Sequence, residues 1–463
     1  MALTADLGKF LETIRFDAIP AEAVTLARDG FTDTVGVIMA GIPEPIVRFV
    51  HDEVSTGPAP RQARACLSDL WISTADAALI NGTAAHAHDF DDQALTGHPS
   101  AILVPAILAE AELLGSSGKD MITAYVAGYE VWADLVGRGR NYHVKGWHPT
   151  SVFGTVSAAA AAAVLHRLPA NRASAALAMA ASHSGGLAVN FGTDTKPYHA
   201  GMAARNGLVA TRLAGRGASA SAVALEHRRG FLTAFSPTND VDWDTPTQVG
   251  KHWQLLSHRL CVKRYPTCYF MHRSFDATVR MLQGKNIKAD DVDNVSVTMN
   301  RGQAVVLCNE RPQTGLEAKF SEHFAMAAAV IIGRMGLSET TDPVVQRPEI
   351  QAFFPKVNLI AVDEYDSRDP AHSPSERVVI KLKNGQVLDT GEIRTVRGHA
   401  FDPLSTEEMW EKFRECTMHT HSDADARLLF DRTQKLPDLK STADLPTAHG
   451  LFSRGASARQ QAV

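Results

Sequence analysis

From the N-terminus to about residue 260, apolar residues recur at three- and four-residue spacing, the pattern of helices that bury one face. The stretch IPAEAVTLARDGFTDTVGVIMAG keeps this spacing and ends in Gly41, a helix stop signal. ADAALINGTAAHAHDF has the same rhythm, and HPSAILVPAILAEAELLGSSG places Pro99 at a helix start, where proline is tolerated. KDMITAYVAGYEVWADLVGRG and PTSVFGTVSAAAAAAVLHRL continue the series. The run Ala158 to Ala163 has side chains small enough to let neighbouring helices approach closely, and reads as packing.

After VKRYPTCY the period changes. VDNVSVTMN alternates from Val292 to Met299 as a half-buried strand does, and KVNLIAVDEYD reads as another strand. In SERVVIKLKNGQVLDTGEI, Asn384-Gly385 joins two β-rich runs and predicts a two-residue hairpin turn. Between these lies LEAKFSEHFAMAAAVIIGRMG, a helical pattern ended by Gly336. Helix returns at LSTEEMWEKFREC, where Ser405 and Glu408 have capping-box spacing, and at SDADARLLFDRTQKL. The expected fold class is therefore mainly α. A large all-helical domain over 1–265 is completed by C-terminal helices within 396–450, and a smaller α+β lid domain spans 266–395. The stretch from about 437 is expected to lose order towards its end.

Composition narrows the function classes. The chain has 463 residues, long enough for two cores, and a net charge of −5, so no basic balance points to nucleic acid or a membrane surface. No stretch approaches the roughly 18 apolar residues of a membrane helix, and the charged N-terminus does not read as a secretory signal. The five cysteines are scattered without a CxxC, against a disulfide framework, a zinc ribbon or an iron–sulfur cluster. A cytoplasmic protein is expected. There is no internal repeat and no Gly-rich phosphate loop.

Four polar stretches stand out against the apolar background, each at a boundary between predicted helices or domains. They are AAHAHDFDDQALTGHPS with His86, His88, Asp89, Asp91, Asp92 and His98; NYHVKGWHPTS with His143, Lys145 and His148; NFGTDTKPYHAG with Asp194, Lys196 and His199; and CVKRYPTCY with Lys263, Arg264 and Tyr265. A metal site, a solvated loop and a proton-transfer site are the alternatives for the first. Residues two apart on a helix point about 200° apart, which weighs against a His86/His88 chelate. Histidine titrates near neutrality, and lysine and arginine anchor carboxylates. Several His, two Lys and an Asp together suit removal of a proton α to a carboxylate, with Asp89 hydrogen-bonded to an imidazole to fix its tautomer. Taken singly, His143 reads as a surface residue, His183 as a helix-end group, His199 and Arg205 as groups that cap and solvate a helix, and His272 with Arg273 as a solvated face. Lys196 and Lys263 have apolar or rigid neighbours instead of a run of charge.

HDFDD…HPS, GWHPTSVFGT, GTDTKPYHAGMAARNG, KRYPTCY and TGLEAKFS occur in this order over nearly the whole chain, which thereby resembles the MmgE/PrpD family. That family includes 2-methylcitrate dehydratase, cis-aconitate decarboxylase and iminodisuccinate epimerase. The resemblance implies a site between the two domains, a homodimer, and no metal or organic cofactor. It implies catalytic roles for Asp89, His98, His148, Lys196 and Lys263, demotes His86 and His143, and makes Gln93, Ser151, Arg264 and Tyr265 the expected substrate contacts. Two positions depart from its pattern: Gln93 stands where threonine is usual, and Phe324 where tyrosine is usual, which removes a hydroxyl. The details of GWHPTS and TGLEAKFS are closer to the epimerase type. The expected activity is a cofactor-independent lyase acting on a small di- or tricarboxylic acid, dehydratase first, with epimerase and decarboxylase as alternatives. From other classes, a metal-dependent hydrolase built on His86, His88 and the aspartates and a non-catalytic ligand-binding protein are the rivals.

Overall fold

The computed structural model describes residues 2–55, 57–139, 146–236, 240–366 and 372–452. His143 and Lys145 lie outside the described residues. Among the described residues, nine helices longer than eight residues build the first region: α1 (Leu3–Thr13), α2 (Ala21–Gly41), α3 (Pro45–Val54), α4 (Thr74–His86), α5 (Ser100–Leu114), α6 (Gly118–Gly137), α7 (Pro149–Leu165), α8 (Ala170–Ser182) and α9 (Thr195–Gly215). A two-residue antiparallel pair, β1 (Ala63–Arg64) and β2 (Trp71–Ile72), precedes α4. Helix α2 ends at Gly41 as its sequence predicts, and α5 begins directly after Pro99 and closes on Gly115 in the left-handed region. Ala158 to Ala163 are buried, and α7 packs between α6 and α9. Helices α4 and α9 cross so closely that a Cβ on Gly201 would lie 2.3 Å from the Leu79 carbonyl oxygen. Only glycine allows that approach.

The second region is a four-stranded mixed sheet, β3 (Val292–Asn300), β4 (Val357–Val362), β5 (Arg377–Leu382) and β6 (Val387–Asp389), in the order β4-β3-β5-β6. Strand β3 runs parallel to β4 and antiparallel to β5. Helices His272–Leu282 and Glu322–Ile331 contribute Phe275, Phe324 and Met326 to a second core with Val295, Val297 and Ile380.

Two local expectations are corrected. The β5–β6 register pairs Lys381 with Val387, and Leu382 N donates to Gln386 O, so the loop is three residues long instead of two. Gly385 takes the left-handed position (φ 87) that such a loop needs. The helical pattern expected to run to Gly336 is also split. Gly315–Ala318 forms one short turn, and Ser321 caps a new helix by accepting from Phe324 N. That helix stops at Ile331, with Gly333 at φ 75. Lys319 and Phe320 fall in the break.

The last two helices, Thr406–Thr417 and Asp423–Gln434, return to the first region, where Met409, Phe413, Leu429 and Phe430 join the first core. Ser405 and Glu408 form the capping box read from their spacing. Beyond them Leu436, Leu439 and Leu445 are buried in that core, and the end of this stretch, where loss of order is expected, lies outside the described residues. Among the described residues, no helix is long and apolar enough to cross a membrane. All five cysteines are free.

Candidate active site

The first polar stretch is a loop between α4 and α5, and its backbone is unusual. Asp89, Leu95 and Thr96 all have positive φ (54, 50 and 62). A left-handed leucine or threonine is costly, so surrounding bonds must hold the loop. Gln93 and Cys261 exchange both backbone hydrogen bonds at 2.9 Å, and Ala94 and Gly97 pair likewise. Two buried lysines donate to successive carbonyls, Lys263 Nζ to Asp89 O at 2.6 Å and Lys412 Nζ to Phe90 O at 2.8 Å.

This loop brings four of the five expected catalytic residues together. The Asp89 carboxylate accepts from Lys196 Nζ on Oδ1 at 2.5 Å and lies 2.9 Å from Lys263 Nζ on Oδ2. Lys196 comes from the first turn of α9, and Lys263 from the segment joining the two regions. Burial pushes the Asp89 carboxyl up, but the two ammoniums outweigh burial and hold it well below the usual carboxylate range.

His98, immediately before Pro99 and α5, stands beside this carboxylate without bonding to it: Nε2 is 3.8 Å from Asp89 Oδ1. Its Nδ1 lies 2.9 Å from Asp91 Oδ2 and 2.8 Å from Asp92 O. Both neighbours accept, so Nδ1 carries a proton, and in the neutral ring the lone pair is on Nε2. The partner that orients His98 is thus Asp91, not Asp89 as the sequence suggested, because Asp89 is already taken by the two lysines.

Asp91 serves a second imidazole. His86, the last residue of α4, has Nδ1 at 3.0 Å from both Asp91 oxygens. Burial pushes Asp91 up, but His86 and His98 hold it well below its ordinary range. Burial drives His86 down to about 4, against the opposing pull of Asp91. His86 is therefore neutral at neutral pH, and its Nε2 is buried without a partner among the described residues. Its ring stacks on His148 at 5.7 Å. His148 caps the N-terminus of α7 ahead of Pro149, where the missing N–H of proline is no loss. Burial first, then His86 and Lys196, push His148 well below its usual value. Its Nδ1 lies 3.2 Å from Nδ1 of His199.

The remaining expected residues divide. Ser151 is buried on the first turn of α7 and donates to His199 O at 3.3 Å, at the edge of the cluster. Gln93 is tied into the loop by its backbone. Arg264 and Tyr265 engage groups outside the cluster: the guanidinium donates to Glu411 at 3.2 Å, and the phenol donates to Asp276 at 2.7 Å. Phe324 lies in the second core with no exposure, so the hydroxyl missing there is missing from packing. His272 and Arg273, expected on a solvated face, are buried. His183 is an exposed helix-end residue, as expected, whereas Arg205 lies inside α9 and reaches Asp76 of α4 at 3.7 Å instead of capping its own helix.

Sequence reasoning named Asp91 and His199 among the polar residues but gave neither a place in proton transfer, and it set His86 aside. The signal was present for Asp91: an aspartate two residues from Asp89 in a non-helical loop need not share its direction. For His199 the partner carried no local signal, since its link to His148 spans 51 positions.

A family model described as the MmgE/PrpD N-terminal domain matches residues 5–244, and the MmgE/PrpD C-terminal domain matches residues 265–436. The chain belongs to the MmgE/PrpD family. It is similar to the cis-aconitate decarboxylase of Homo sapiens, 30% identical over 396 residues that cover 82% of this chain and 80% of that protein. A cis-aconitate decarboxylase-like protein of Aspergillus oryzae is 25% identical, with 97% of each chain covered. The cis-aconitate decarboxylase of Aspergillus terreus is 25% identical over 89% of this chain and 88% of its own. As an MmgE/PrpD enzyme, the chain has a mainly helical first domain and a mixed sheet with helices in the second.

The cluster also meets one test for a cation site: ligand atoms of His86, Asp89, Asp91 and His98 all lie within 4.8 Å of one another. His88 is not among them, since its Nε2 donates to Ala40 O at 2.9 Å. The charges weigh against a cation. Two ammoniums already neutralise Asp89, and a divalent ion beside them would be repelled by both.

Proposed function

We propose that this enzyme is a cofactor-independent lyase that moves a proton at a carbon beside a carboxylate of a small di- or tricarboxylic acid, with decarboxylation of a cis-aconitate-like acid as its reaction. The observation that carries the reading is His98. Its Nδ1–H is held by Asp91 and Asp92 O, while its Nε2 faces a carboxylate that two lysines hold. The two ammoniums on the single Asp89 carboxylate leave positive charge at that corner of the buried site, which favours an anionic substrate and stabilises charge that develops on its carboxylate. In decarboxylation the C–C bond to the departing CO2 breaks, its electron pair stays on carbon, and that carbon takes one proton. His98 in its protonated form, or Lys196, is placed to deliver it. Dehydration and epimerisation start instead with proton removal, for which the neutral His98 Nε2 is the base.

Similarity to cis-aconitate decarboxylases supports putting decarboxylation ahead of dehydration and epimerisation. Incubation in D2O with cis-aconitate, 2-methylcitrate and other polycarboxylates, followed by NMR, separates the three. Release of CO2 with one deuterium gained is the expected result; loss of water or exchange without net change identifies the other two, and no reaction with any acid overturns the reading. A homodimer belongs to the same proposal on the family resemblance, and sedimentation at twice the mass of one chain checks it. The rival metal-dependent hydrolase has the 4.8 Å group in its favour. Stoichiometric metal in the purified protein, with activity lost on chelation, would replace the lyase reading.

A further inference from the structure

The break between Ala318 and Glu322 carries a third lysine to the site from the second domain. Lys319 is 5% exposed, and its Nζ lies 3.0 Å from His88 Nδ1. The other nitrogen of that ring donates to Ala40 O at 2.9 Å, so Nδ1 has the lone pair and Lys319 is the donor. The adjacent Phe320 ring lies 5.6 Å from Lys196 Nζ, which sets this segment against the Asp89 cluster. Burial, the largest influence, pushes the Lys319 pKa down to about 8, while Glu44 and then Asp89 support its charge from a distance and Lys196 and Lys263 oppose it. Lys196, Lys263 and Lys412 each have a carboxylate oxygen within 2.9 Å. Among the described residues Lys319 has none within 4.0 Å; its hydrogen-bond partner is a neutral imidazole. Burying an ammonium with no carboxylate in contact is costly unless something completes the site.

We infer that Lys319 anchors a carboxylate of the substrate remote from the reacting carbon, and so makes the enzyme selective for acids with an additional carboxylate. The inference rests on the proposed polycarboxylate lyase and adds a binding residue to it. Lys196 and Lys263 serve the carboxylate next to the reacting carbon, and Lys319, delivered by the other domain, recognises the far end. A substrate that bridges the two would also hold the domains together.

Titration calorimetry with tricarballylate and methylsuccinate, which is tricarballylate without one terminal carboxylate, tests this without turnover. The wild-type enzyme should prefer tricarballylate, and Lys319→Met should lower that preference about ten- to a hundredfold, the range for a hydrogen bond to a charged group. Lys319→Arg should keep most of it. If Lys319→Met does not melt cooperatively, Lys319→Gln takes its place, since it keeps a donor for His88 and removes the charge. Equal loss for both acids, or no change in preference, overturns the anchor and leaves the lyase reading intact. A wild-type enzyme that binds neither acid overturns both.

Discussion

Two buried lysines grip the same loop, and their surroundings differ in one respect. Lys412 pairs with Asp33 at 2.6 Å, donates to Phe90 O, and lies 4.1 Å above the Phe90 ring. Lys263 pairs with Asp89 at 2.9 Å and donates to Asp89 O. Each is 1% exposed. Asp33, however, answers to one lysine, whereas Asp89 answers to two. The carboxyl groups respond in opposite directions. Burial raises Asp33 and Lys412 only partly offsets it; at Asp89 the paired ammoniums overcome burial. A balanced buried pair is a structural tie. A carboxylate shared by two cations leaves positive charge over, and in a site closed to water that surplus favours an anion.

If the cation-rich side is where chemistry happens, His98→Ala should lower turnover by about 10²–10⁴-fold, the usual contribution of a general acid–base group, without loss of fold. Turnover at the wild-type rate would move the base to His148 or Lys196. Lys412→Met should act on the other property. Removing one partner of a buried pair costs about 3–5 kcal/mol of stability, readable by urea denaturation, while kcat/KM per folded molecule stays close to wild type. The reverse outcome, stability kept and activity lost, would break the comparison. Lys263→Ala should cost at least about 2 kcal/mol in kcat/KM, since a desolvated cation–carboxylate contact is lost.

A smaller effect follows from the imidazoles around both lysines. Burial pushes His86 down to about 4, and burial with Lys319 and Lys263 respectively pushes His88 and His272 down to about 3. Their unfolded value is 6.5, so between those limits the unfolded chain binds more protons. Stability is complete above about pH 6.5 and falls as pH drops towards 3–4. From about pH 7 to pH 5.5 each buried neutral histidine should cost on the order of 1 kcal/mol. A flat urea midpoint over that range would mean that these rings are charged in the folded protein. The smallest expected effect is none: EDTA should leave activity unchanged, and a loss restored by one metal would convert His86, Asp89, Asp91 and His98 into a metal centre.

Most of the fold was legible because its signals are local. Helix α2 stops at Gly41, α5 starts after Pro99, and Ser405 with Glu408 closes a capping box, each within a few residues of chain. Where a local signal competed with another, the reading slipped. Apolar periodicity runs through KFSEHF, but Ser321 offers a helix cap there and starts a new helix. Asn384-Gly385 suits a two-residue turn, but a three-residue loop also uses Gly385 at positive φ.

By itself the sequence determined the helical first region, the strands of the second, and the motifs that name Asp89, His98, His148, Lys196 and Lys263. Only the tertiary structure decided who partners whom. It gave Asp89 to Lys196 and Lys263, gave His98 and His86 to Asp91, drew Arg264 and Tyr265 to Glu411 and Asp276, and brought Lys319 to His88 across 231 positions. Periodicity reports which face of an element is buried, because burial repeats with the backbone's own period. Compensation of buried charge has no such period. It depends on which side chains meet after the helices have packed, and that is settled by distance in space.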